Sequence, residues 1–262
     1  MELLKWTTVS SWVDETIELF SYIDDDIDID TLSMKIKNGE IYGDRKENSA
    51  IRVFQTIKSR YLCNDKDTVL ALAKIINSSI SYQEKCNYLL IFYLEYETLA
   101  KLFLESYVYS NFNDYGQKVF TDMDINKFFE MVLDKHRYQL PEKLRNEISE
   151  VSMQKVKNHL WKNIENFGWI DSSDGKINIK RPKLTPEWFV FTLYLYFKEN
   201  CIDAKEVYNS PAYKRFLLNE YDIEYLITGA KLKDLIHTER LGHVNTITKH
   251  EKGLVEYARN YK

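Results

Sequence analysis

Apolar residues recur along this chain mostly at the three- and four-residue spacing of amphipathic helices, and in two stretches they give way to the alternation of short strands. Val13, Ile17 and Phe20 share one side of a helix that Ser10 or Ser11 can cap and that ends near 22. A short helix is expected over 31–37, stopped by Asn38-Gly39. Ile51, Phe54, Ile57 and Tyr61 mark another over 45–61, and Asp65 or Asp67 caps a fourth over 69–76. Ser81-Tyr82-Gln83-Glu84 has the form of a capping box, in which serine and glutamate satisfy free amides of the first turn. The helix it opens is expected to reach 109. It is apolar nearly all round from Leu89 to Leu94, which places it at the centre of a bundle. A second box, Thr121-Asp122-Met123-Asp124, opens a helix to about 133, and a helix pair follows Pro141.

The stretch 152–183 changes period. Met153, Val156, Leu160, Ile164 and Phe167 line one side of a helix, with Lys155, Asn158, His159, Lys162 and Asn166 opposite. Then come Phe167-Gly168-Trp169-Ile170, a turn at Ser172-Ser173-Asp174-Gly175, Lys176-Ile177-Asn178-Ile179 and the basic exit Lys180-Arg181-Pro182-Lys183. Helix, short hairpin and basic exit predict a winged-helix-like unit. Thr185-Pro186-Glu187 next supplies an N-cap with proline at the first helical position, for a helix over 188–199. Ser210-Pro211 repeats the device, a helix over 221–228 stops at Gly229, and 235–247 reads as a second hairpin. The chain thus ends helix, hairpin, helix a second time, without sequence identity between the two.

The fold class expected is therefore mainly α: a helical bundle over 1–140, a winged-helix-like unit over 141–200 packed on it, and a helix-hairpin-helix unit over 201–262. The 262 residues, 44% hydrophobic and 14% aromatic, suffice for a sizeable core. The longest apolar run, from Tyr88 to Leu94, is far short of the roughly 20 residues that span a bilayer. The N-terminus, Met1-Glu2-Leu3-Leu4-Lys5-Trp6, lacks the basic and apolar regions of a signal peptide. Cys63, Cys86 and Cys201 are widely spaced and contain no CxxC pair, which fits a reducing cytoplasm better than a disulfide framework.

A formal charge of −4 argues against a uniformly basic nucleic-acid coat. Charge is nevertheless uneven: residues 1–30 hold nine acids against Lys5 alone, whereas 143–183 hold nine Lys/Arg against five Asp/Glu. The sign reverses where the wing-like segment sits. With 19 Tyr and only 8 Ala, and frequent Lys and Asn, the composition fits an AT-rich coding genome, so the abundance of these residues carries no argument of its own.

Several chemistries find no support in the residues. Nothing resembles a glycine-rich phosphate loop. Asp24, Asp26 and Asp28 imitate the first positions of a calcium loop, but Ile29 stands where glycine is required and Lys35 where glutamate is. His237, His243 and His250 cluster without an HExxH or a paired cysteine, and no serine or cysteine sits in a nucleophile motif. No cofactor, metal or catalytic residue is therefore expected. The aromatic run 188–197 contains no basic residue before Lys198, which suits a core helix better than a base-stacking surface. For 152–183, Lys155, Asn158, His159, Lys162, Lys176, Lys180, Arg181 and Lys183 are the candidate contacts to duplex DNA. The competing reading is a solvated face on a structural wing.

The ordered set Arg60-Tyr61, the apolar helix over 88–104, Phe167-Gly168-Trp169-Ile170, Ile177-Asn178-Ile179, Pro182 and Leu184-Thr185-Pro186 resembles the BrxA family of bacteriophage-exclusion (BREX) defence systems. The resemblance covers about 15–200. It implies a small, largely helical, non-enzymatic cytoplasmic protein that binds DNA and works beside the ATPase, methyltransferase and phosphatase-like components of such a system. Duplex DNA, bound non-specifically or with weak specificity, and other BREX subunits are the expected partners; no membrane is. The alternative is a protein-interaction adaptor of the defence complex that does not touch DNA.

Overall fold

The structure, a computed structural model, describes residues 9–26, 28–139, 150–173, 175–241 and 244–261. Met1-Glu2-Leu3-Leu4-Lys5-Trp6, the start of the helix pair after Pro141, Asp174 and His243 lie outside the described residues, as does the side chain of Met153. The described residues are mainly helical, and their strands form two small antiparallel sheets.

Many helix starts follow the capping chemistry of the sequence. α1 (Val13–Phe20) is an exception: its N-cap is Trp12 in left-handed backbone, and neither Ser10 nor Ser11 takes that place. For α2 (Ile29–Lys37) the Asp28 carboxylate accepts from the Thr31 amide at 2.7 Å, so the end of the acidic run serves as a cap. α3 (Glu47–Ile57) continues through a wide turn at Lys58–Leu62, and Asp65 caps α4 (Lys66–Ile76) through the Thr68 amide at 2.9 Å. The capping box at Ser81 and Glu84 opens α5 (Tyr82–Tyr96). This helix is shorter than its sequence predicts. Glu97 leaves helical backbone at ψ 72, and the chain resumes as α6 (Thr98–Leu102), a wide-turn segment Phe103–Val108 and α7 (Tyr109–Asn113).

A three-residue strand, β1 (Val119–Thr121), leads into α8 (Asp122–Lys135), whose capping box at Thr121 and Asp124 is present. α9 (Glu150–Glu165), β2 (Ile170–Ser173) and β3 (Lys176–Ile179) follow. The sheet has the order β1-β3-β2, with Phe120 beside Ile177 and Ile170 beside Ile179. After it come α10 (Pro186–Tyr196), β4 (Cys201–Asp203), α11 (Ala204–Asn209), α12 (Pro211–Lys214) and α13 (Glu220–Leu232). β5 (Ile236–Leu241), β6 (Val244–Lys249) and α14 (Leu254–Arg259) complete the chain. The second sheet has the order β4-β6-β5. Both hairpins are thus parts of three-stranded sheets, and each is joined by a short strand that precedes it with helices in between.

The described residues divide into two units that each draw on separated stretches of chain: 9–11, 93–183 and 211–219 in one, 12–92, 184–210 and 220–261 in the other. The first unit is built around aromatic contacts. Phe103 meets Trp161 at 4.7 Å and Phe128 at 4.8 Å, Tyr93 meets Phe167 at 5.0 Å, and Trp169 meets Phe216 at 5.9 Å. In the second unit α10 is core, as its aromatic run predicts. Residues 188–193 are buried, Phe191 lies edge-on to Tyr88 at 5.1 Å, and the Trp188 indole donates to the Asn87 carbonyl at 3.2 Å. α13 does not stop at Gly229. That glycine lies within the helix, at a position where a Cβ would meet the Pro186 ring at 2.8 Å.

Candidate nucleic-acid interface

The candidate site lies in the first unit, on α9 and the β2–β3 hairpin. α9 is held from its apolar side: Val156, Leu160, Ile164 and Phe167 are buried as the spacing predicts, and Trp161 and Asn163 are buried with them. The Asn163 amide accepts from the Ser11 backbone and donates to the Val9 carbonyl, both at 3.1 Å. Asn166, on the polar side of the helix period, donates to the Ser11 hydroxyl at 2.7 Å, so its amide is engaged within its own unit. The helix ends where the Gly168 amide reaches the Glu165 carbonyl at 2.7 Å, with Gly168 at φ 75, a conformation cheap only for glycine. The Glu165 carboxylate then accepts from the Ser172 amide at 2.8 Å and from its hydroxyl. This ties the last turn of the helix to the first strand of the hairpin.

Between helix and hairpin lies a cleft of about 430 Å³. Gln154, Asn158 and Lys162 line it from α9, and Ser172, Ser173 and Lys176 from the hairpin, with Asp122 of α8 as the opposing acid. The Gln154 amide donates to the Asn158 carbonyl oxygen at 3.1 Å, leaving the Asn158 amide nitrogen as a donor. Two ammonium groups, amide groups and the Ser173 hydroxyl therefore converge on one concave surface, the Ser172 hydroxyl being already spent on Glu165. Such a set suits a phosphodiester backbone: cations neutralise it and neutral donors orient it.

The eight predicted contacts separate here. Asn158, Lys162 and Lys176 share the cleft. Lys155 and Lys183 are exposed but do not line it, and Lys180 forms an ion pair with Asp171 at 3.1 Å on the exposed hairpin. Arg181 turns inward, donating to the Leu217 carbonyl at 3.1 Å with its guanidinium 5.8 Å over the Phe112 ring. His159 is half-buried; burial lowers its pKa, Lys162 works in the same direction and the Glu97 carboxylate opposes both. Its imidazole is thus biased toward the neutral form, a donor or acceptor in place of a cation. Gln154, Ser172 and Ser173 were not among the predicted contacts. Their signal was present in the period, since Gln154 lies four residues before Asn158, and the two serines open the turn facing Lys176.

In the second unit, His237 meets Glu239 at 3.1 Å on an exposed strand and His250 is exposed. No helix among the described residues is long and apolar enough to cross a membrane.

A search of curated proteins gave no match to the chain. The BrxA family model matches it over residues 4–192, a span that contains the whole of the α9 and hairpin site. With nearly three quarters of its length covered, the chain belongs to the BrxA family, which places it in BREX phage defence.

Proposed function

We propose that this BrxA chain is a non-enzymatic, cytoplasmic accessory protein of its defence system that binds duplex DNA, with α9 and the β2–β3 hairpin as a winged-helix unit. The observation that carries the reading is the shared cleft. Lys162 on the helix and Lys176 on the hairpin approach one concave surface from two sides, with Asn158 between neutral donors. The sheet order β1-β3-β2, with α8 and α9 between β1 and β2, supports the winged-helix description. Contacts of this kind give salt-dependent affinity with little sequence information.

The test is a fluorescence-anisotropy titration of a duplex with wild type and with K162E/K176E. The double variant should bind at least about tenfold more weakly at low salt, and its log–log salt slope should be shallower by about 2. Thermal stability should be unchanged, because both side chains are exposed. Equal binding by the two proteins would remove the cleft from the interface. An adaptor that contacts only other BREX subunits is the second reading, favoured by the engagement of Lys180 with Asp171 and of Arg181 with Leu217. It predicts no measurable DNA affinity even at low salt.

A further inference from the structure

α13 takes the same place in its sheet that α9 takes in the first, directly before the hairpin, yet its outward side is of another kind. Inward, Ile223, Leu226 and Ala230 are buried. On the opposite side Tyr221, Tyr225, Thr228 and Leu232 follow at the i, i+4, i+7, i+11 positions, within about 60° of one another at 3.6 residues per turn. Tyr221, Tyr225 and Leu232 are 83%, 63% and 82% exposed. A single exposed apolar side chain is ordinary, but an apolar stripe along one helix is the form in which helices anchor to a partner.

The charges beside the stripe say which partner fits. Glu220, Glu224 and Lys231 are all exposed on the same flank, the acids toward the start of the helix and the lysine toward its end. Tyr208 borders the acids: burial raises its phenol pKa, and Glu224 and Glu220 add to the effect. When a second α13 lies antiparallel on the first, Tyr221 meets Leu232 of the second copy and Tyr225 meets Thr228. Flanks of the same kind then face each other, so Glu224 comes opposite Lys231 of the second copy, twice across the two-fold axis. A parallel pair would instead set the Glu224 flank against the flank that carries Asp222, carboxylate toward carboxylate. We propose that the outer stripe of α13 is a self-association surface, on which a second copy of this chain docks antiparallel to form a two-fold dimer. One helix stripe is a small interface, so the dimer forms in a concentration-dependent equilibrium.

Sedimentation velocity on the full chain, from about 1 to about 100 µM, tests this without DNA and so independently of the cleft. Wild type should move from monomer toward dimer across that range, and Y225A/L232A should stay monomeric with an unchanged melting temperature. E224K and K231E should each weaken the dimer by about tenfold or more, and E224K/K231E, which exchanges the charges on both copies, should restore it. A wild type that stays monomeric overturns the proposal, and so does a dimer that survives Y225A/L232A. A double exchange no better than its single variants would overturn the antiparallel register.

Discussion

Arg181 and Leu217 are joined by a hydrogen bond of 3.1 Å from guanidinium to carbonyl, and both hold left-handed backbone, at φ 38 and φ 55. Neither is glycine, so each conformation is upheld by its surroundings. Arg181→Ala is therefore expected to lower stability by about 2 kcal/mol in urea unfolding, through the lost charge-assisted bond. Its DNA affinity, measured while folded, should change less than twofold. A larger fall in affinity than that of K162E/K176E would return Arg181 to the interface.

Arg215 is buried between two carboxylates, paired with Glu95 and 3.7 Å from Glu105. Removing it as Arg215→Met leaves those acids without their main counterion and should cost about 3 kcal/mol. The two acids respond to pH in opposite senses. Burial pushes the Glu95 carboxyl upward, but Arg215 and then Lys101 hold it below the usual glutamate value. Its contribution is full above that usual value and is lost as the pH falls through the lowered folded value. Burial dominates at Glu105 and raises its pKa, so its ionised form is a burden that appears as the pH rises. Glu95→Gln should thus cost more at about pH 7 than at about pH 3.5, and Glu105→Gln should show the reverse trend, both read by urea unfolding across pH.

Gly229→Ala sets helix propensity against space. Alanine gains roughly 1 kcal/mol within a helix. Its Cβ would, however, meet the Pro186 ring at 2.8 Å, and a proline ring cannot swing away. The clash should win, with a net loss of about 1–2 kcal/mol and a lower melting temperature.

The three thiols should divide two to one with a disulfide reagent such as DTNB. Cys63 and Cys201 are exposed and should react in the native protein. Cys86 is buried, and burial, with the Asp14 charge adding to it, pushes its thiol up to about 11. It should titrate only on unfolding; three rapid native equivalents would contradict that.

For His159, a folded pKa below the unfolded value means that stability is full above the unfolded value and falls as the pH drops through the folded one. An NMR titration should give an imidazole pKa below 6.5, the ordinary value. His159→Gln should be less sensitive to acid between about pH 7 and about pH 5, as seen by thermal melting.

Where a single residue sets the local structure, the sequence is readable. Asp65, Ser81, Thr121 and Thr185 each cap the helix they precede, because a short polar side chain before an apolar period has few other uses. The two hairpins are readable for the same local reason, alternation around a turn. β1 and β4 are not: a three-residue strand carries too little alternation to register, and its partner lies far along the chain. The break at Glu97 and the helical Gly229 depend on packing, which no local pattern reports. At the candidate site, the helix period identifies Asn158 and Lys162, and the hairpin Lys176. Charge alone could not tell Arg181 from its lysine neighbours, because what distinguishes it is an acceptor at Leu217, brought close only by the fold.

In each sheet the central strand is the last to be synthesised: β3 lies between β1 and β2, and β6 between β4 and β5. The two outer strands of a sheet do not pair with each other, so neither has its ladder until the final strand has left the ribosome. For the first sheet that means a wait from Val119 to Ile179, and the register Phe120 to Ile177 closes a loop of that length. Sheet closure is therefore a late, non-local folding step. A fragment that begins after β1 would carry α9 and a hairpin with one edge bare, a likeness of the cleft without its backing.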